Sequence, residues 1–177
     1  MTQTEPAPSL RRRTVVFAVV AVALAGSLAA YFVLRSDDTT HTLRDRQAAV
    51  ESRGAHVMPF DQATTTHVFE KTPTGGVETV TVNDPNDTNQ VALIRMHLTH
   101  EAELFAAGDF ADPAAIHGGN MPGLADLARG ASRIEFTYAE APGGATITYQ
   151  TADPDLVDAL HAWFDAQLAD HGRHAHS

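Results

Sequence analysis

Residues 14–34, TVVFAVVAVALAGSLAAYFVL, run for 21 positions without a charge. As a helix that length covers about 31 Å, enough to cross the hydrocarbon core of a bilayer. The stretch therefore predicts a transmembrane helix, and whatever follows it must fold as a separate body. Arg11, Arg12 and Arg13 precede it, whereas Arg35 is followed by Asp37 and Asp38. That bias keeps residues 1–13 in the cytoplasm and exports the remainder, which predicts a single-pass cell-membrane protein with an extracytoplasmic C-terminal domain. A cleaved signal peptide competes, because Ala23-Leu24-Ala25 resembles a small-residue cleavage site. Apolar residues continue through Tyr31, Phe32, Val33 and Leu34, which a signal peptide does not need, so the anchor is preferred.

The exported part is acidic. Residues 1–35 hold four of the 12 basic residues and one of the 22 acidic ones, which leaves eight against 21 and a net charge of −13. Nucleic acid is excluded as a partner, since its phosphates would be repelled. Anionic lipid would repel the domain as well, beyond the anchor itself. All ten histidines follow the apolar stretch and cysteine is absent. Disulfides and thiolate metal sites are thus impossible, and a metal would have to be held by His, Met, carboxylate or backbone oxygen.

Residues 36–60 are polar and read as a juxtamembrane stalk, with a short helix over 43–53 that Gly54 ends. From Thr64 the pattern changes. Residues 64–71 and 77–83 are rich in Thr and Val, and Thr72-Pro73-Thr74-Gly75-Gly76 between them is turn chemistry, so a hairpin is predicted. Asp84 as cap and Pro85 as first residue then open a helix to about Ala107, stopped by Gly108. A second copy of the order follows: Ile134, Phe136 and Tyr138 alternate with polar residues, as do Ala145, Ile147 and Tyr149 after the turn Pro142-Gly143-Gly144. Asp153-Pro154 caps a closing helix to about His171, with Gly172 as its stop. Between the copies, residues 108–130 form an irregular insert with two short helical turns, at Asp112-Pro113 and over 122–129. The predicted fold class is α+β: two hairpin-helix units giving a four-stranded antiparallel sheet with helices on one face over residues 61–172. Residues 173–177 are a frayed histidine-containing tail that binds metal only weakly.

On the first long helix Val91, Ile94, Leu98, Ala102 and Phe105 share one stripe, and His97 with Glu101 lies on its flank while His100 points to water. On the closing helix Leu156, Leu160, Trp163, Phe164 and Leu168 make the buried face, with His171 near its centre, Gln167 beside it and His161 at the edge. His67 shares a strand face with Phe69 and points toward the helices. His117 and Met121 lie in the insert, and Met58 stands near His56.

The candidate metal ligands are therefore His67, His97, Glu101, His117, Met121 and His171. Imidazole with thioether in an exported, cysteine-free domain favours copper over magnesium or calcium, with zinc second. A haem held by His and Met is a further possibility, although no CxxCH is present for covalent attachment. Ten histidines could also serve pH sensing. The sequence points away from an enzyme: it holds no GxSxG and no HExxH, and its Gly-Gly pairs sit in turns rather than between strand and helix. The alternative is a non-enzymatic extracytoplasmic module that recognises an envelope protein or a small ligand, its histidines being structural or pH-responsive.

The segments TTTHVFEKTPTGGVETV, DPNDTNQVALIRMHL, GDFADPAAIHGGNMPGL and ITYQTADPDLVDALHAWFDAQLADHG, taken in order, resemble a family of small bacterial exported proteins often labelled aspartate carbamoyltransferase. The similarity covers about residues 58–172. Authentic carbamoyltransferases are larger two-domain α/β enzymes that hold carbamoyl phosphate in a Ser- and Thr-containing loop at a helix start. This chain has no such loop and no parallel-sheet pattern. The resemblance implies only that His67, His97, His117, His161 and His171 occupy recognisable segments, and it brings no catalytic residue.

Overall fold

Two tight hairpins set the frame of the computed structural model, which describes residues 40–177 apart from the Arg173 side chain. The apolar stretch 14–34 and the arginines before it lie outside the described residues. Asp45–Ser177 form one compact unit, and residues 40–44, the described part of the preceding unit, are helical.

Strands β1 (Thr65–Thr72) and β2 (Gly75–Val82) pair antiparallel, as do β3 (Glu135–Ala141) and β4 (Gly144–Gln150). Threonine and valine suit such half-buried pleated surfaces. Gly143, at φ +74°, makes the second turn in a conformation that side chains disfavour. The hairpins join along an antiparallel β2–β4 pair.

A fifth strand, β5 (Ala175–His176), runs parallel to β1, with His67 opposite Ala175 and Val68 opposite His176. The sheet is therefore mixed and five-stranded, in the order β3-β4-β2-β1-β5. The expected four-stranded antiparallel sheet lacked this element, and the tail expected to fray is built into the edge. The free edge of β1 offers unpaired backbone groups, and the chain leaving the closing helix is close enough to use them.

The helices are α1 (residues 40–57), α2 (Thr88–Ala106), α3 (Ala111–His117), α4 (Leu124–Gly130) and α5 (Pro154–His171). Gly54 does not end α1. It is buried inside the helix, where a Cβ would meet the Gln62 side chain at 2.5 Å. Asp84 and Pro85 do not open α2 either: the Asp87 N–H donates to the Asp84 carbonyl at 3.0 Å, closing a turn. Asp87 is the cap, accepting from the Gln90 N–H at 3.1 Å. The closing helix starts and stops as its sequence predicts, with Asp153 as cap, Pro154 first and Gly172 at φ +55° after its end.

One face of the sheet carries Phe69, Val80, Ile147 and Tyr149, all buried against Ile94, Leu98 and Phe105 of α2 and Leu160, Trp163 and Phe164 of α5. The Tyr149 ring meets Trp163 and Phe164 edge-on at 6.0 and 5.5 Å, a favoured arrangement of ring quadrupoles. Val50 of α1 is 1% exposed, and Arg53 donates to the Ile116 carbonyl at 2.6 Å. Residues that look like a spacer in sequence are thus part of the packed body.

Candidate functional site

Where α2, α3 and α5 cross the sheet they do not close on apolar atoms alone. They leave a cavity of about 50 Å³, walled by His67 and Glu78 from the sheet, His97 and Glu101 from α2, His117 from α3 and His171 from α5, among others. Met58, Phe60 and Trp163 add its apolar side. That volume holds an ion with water, or a very small molecule.

Each polar group arrives there for a local reason. The strand alternation that buries Phe69 also buries His67, which is 3% exposed. Ile94, Leu98 and Glu101 follow at helical spacing on α2, and all three are buried. The stripe Leu156, Leu160 and Trp163 of α5 continues into Gln167 and Asp170 instead of ending in leucine. Leu168, expected on that face, is only half-buried.

Three imidazoles stand side by side. The His67 and His171 rings stack with centres 4.8 Å apart and planes 9° apart, and His117 meets His171 edge-on at 5.0 Å. His117 shares a hydrogen bond between its Nδ1 and Asp170 Oδ2 at 2.9 Å, and Arg46 donates to both oxygens of Asp170, at 2.5 and 2.8 Å. With the carboxylate accepting, the Nδ1 of His117 carries the proton and its Nε2 keeps a lone pair. His97 joins the group through Phe60, whose ring packs against His67 at 5.9 Å and His97 at 5.6 Å.

Four buried polar atoms in the described body lack a hydrogen-bond partner: His67 Nδ1, Glu101 Oε1, Trp163 Nε1 and Gln167 Oε1. All four residues wall this cavity. Buried polar groups are nearly always satisfied, by protein or by ordered water, and these four residues line one cavity.

Burial sets the charge state. It pushes His67 down to about 3, helped by the charges of His97, His117 and His174. It pushes His97 down to about 4 although Asp112 opposes it, and lowers His117 and His171 as well. Glu101 rises to about 8, through burial first and then the adjoining Asp112 carboxyl. Glu78 rises to about 7 by burial, against a hydrogen bond of 2.8 Å that Tyr149 donates to it. At neutral pH the cavity therefore presents neutral imidazoles, the form that ligates metals, beside a protonated carboxyl.

The other candidates separate. Met121 is buried in the core but is not on the cavity wall, whereas Met58 is. His100 is exposed. His161 donates from Nε2 to the carbonyls of Gly75 and Thr72, at 2.9 and 3.1 Å, and so ties α5 to the first hairpin turn. Asp170 and Arg46 were not foreseen. A carboxylate on the buried stripe of α5 was the available signal for Asp170, and nothing local marks Arg46. Among the described residues no three His, Asp or Glu side chains are already arranged as a metal cage. The imidazoles are neighbours, and converging on one ion would take side-chain rotation.

Compared with protein-family models, curated proteins and solved structures, the chain matches none of them.

Proposed function

We propose that this chain is a membrane-anchored, extracytoplasmic metal-binding protein that takes a transition ion, copper first and zinc second, into the cavity beneath its sheet. The ligands are His67, His117 and His171, with the Met58 thioether and the Glu101 carboxyl within the same walls. His97 adjoins the set across Phe60. The observation that carries this is the run of three imidazoles with ring centres 4.8 and 5.0 Å apart, one of them oriented by a carboxylate. Neutral histidine held by a carboxylate through its second nitrogen is the arrangement that metal sites use to fix tautomer and direction. Copper is favoured over zinc by the thioether, and both over magnesium by the nitrogen donors.

The test is metal content and thermal unfolding of the full-length chain in detergent, purified without chelators and then offered Cu²⁺ or Zn²⁺. Near-stoichiometric uptake with a raised Tm, lost in the His67→Ala, His117→Ala double variant, supports the site. A folded chain that ignores both ions overturns it.

One observation favours a second reading, a module for a small uncharged polar ligand. Trp163 Nε1 and Gln167 Oε1 lack partners, and an indole N–H donates but does not ligate metal. Native mass spectrometry of the metal-free protein separates the two, since a small organic ligand adds a mass that chelators do not remove.

A further inference from the structure

The C-terminal segment bears directly on the cavity. Strand β5 pairs with β1 at His67 itself, and Ala175, opposite His67, is 7% exposed and belongs to the core. The preceding turn Gly172–His174 leads straight from His171, so His174 is bounded by a residue stacked on the His67 ring and a residue paired with the His67 backbone. His176 is exposed. His174 is half-buried, and the turn that carries it packs on both β1 and α5. A two-residue edge strand is weakly held, and such segments open more readily than the core they cover.

We propose that residues 172–177 are the closing strap of the histidine cavity and that His174 is a further ligand of the ion bound there, so that metal binding and strap docking are one equilibrium. This rests on the metal-binding reading above. An ion entering while the strap is open meets His67 and His171, and closure adds His174. A ligand that prefers the closed state must in turn favour closure.

The test uses the full-length chain in detergent with Zn²⁺ as probe. Amide hydrogen exchange over residues 172–177 should slow by about tenfold or more on saturation. His174→Ala and His174→Gln should each weaken Zn²⁺ binding by about tenfold or more and abolish that slowing, while His176→Ala stays within about twofold of wild type. Equal affinity in both His174 variants, or unchanged tail exchange in a chain that binds Zn²⁺, overturns the strap and leaves the cavity site standing. A wild-type chain that takes up no Zn²⁺ and no Cu²⁺ overturns both.

Discussion

His117 and Asp170, 53 positions apart in the chain, meet at 2.9 Å with their side chains 2% and 3% exposed. Arg46 from α1 donates to both oxygens of the same carboxylate, including the one that His117 bonds. A helix next to the predicted anchor thus sets the orientation of a cavity histidine.

Asp170→Asn keeps the shape but turns one of the two acceptor oxygens shared by His117 and Arg46 into an N–H donor and removes the charge that holds the His117 tautomer. Metal affinity should fall about 10- to 100-fold. Asp170→Ala should in addition destabilise the metal-free protein by about 1–3 kcal/mol, by leaving a buried imidazole N–H unpaired. Isothermal titration and urea unfolding read the two effects separately. Unchanged affinity in both variants would count against His117 as a ligand.

The metal-free protein, held in chelator, should be most stable near pH 6.5. Below that, unfolded histidines take up protons that His67 and His97 refuse until about 3 and 4, and His117 and His171 refuse in the same direction. His67 and His97 each remove about 1.4 kcal/mol per pH unit as pH falls from 6.5 toward 4, and His117 and His171 add to the loss. Glu101 and Glu78 work the other way, since they keep protons up to about 8 and 7 that the unfolded chain releases from about 4.5 upward. Their stabilisation is lost as pH rises. Between pH 4.5 and 6.5 His67 and His97 offset Glu101 and Glu78, and the lowered His117 and His171 tip the slope upward with pH; above 6.5 the glutamates act alone. Urea midpoints at pH 5, 6.5 and 8 should trace a peak, and a profile that only rises would refute the carboxyl assignment.

Glu101→Gln should flatten the alkaline limb of that profile. A neutral amide of the same shape has no proton to lose, so the variant should gain about 1–3 kcal/mol on wild type at pH 8 and little at pH 5. Equal shifts at both pH values would mean that Glu101 is already charged at neutral pH.

His161→Ala serves as the structural contrast. It removes the donor to the Gly75 and Thr72 carbonyls and should cost about 1–2 kcal/mol. Metal affinity should stay at the wild-type value, and a loss of binding would show that the hairpin turn communicates with the cavity.

Gly123→Ala tests the seat of the insert. Gly123 has φ +76°, and a Cβ there would lie 2.0 Å from the Ala159 carbonyl oxygen. The substitution should destabilise by about 2–4 kcal/mol through strain and displacement of α4 from α5. Thermal unfolding would show the loss.

Local patterns carried the hairpins, because strand alternation and turn chemistry act over a few residues. They also carried α5, where cap, Pro and terminal Gly agree. The burial of Phe69 told which way His67 points, and the stripe of α2 set His97 and Glu101 on its flank and His100 in water; the structure buries Glu101 fully and leaves His97 half-buried. Three features were not legible. The start of α2 was displaced because two aspartates compete as caps and backbone bonding across residues 84–87 chose the second. The helix at 40–57 looked like a polar spacer because its ties to the body are scattered: Val50 and Val57 on the core, Gln47 donating to the Ala169 carbonyl, and the two arginines. The tail looked frayed because a two-residue strand has no pattern of its own.

The sequence by itself determined the two hairpins, the closing helix and the inward turn of His67 and His171, since these follow from periodicities of two and 3.6 that need no partner. Only the tertiary structure decided which of these meet. Stacking His171 on His67, setting Asp170 between His117 and Arg46, excluding Met121 from the cavity wall and laying Ala175 beside His67 all depend on how separate elements cross. Contacts between residues tens of positions apart are fixed by packing of whole faces, which no local window of residues encodes.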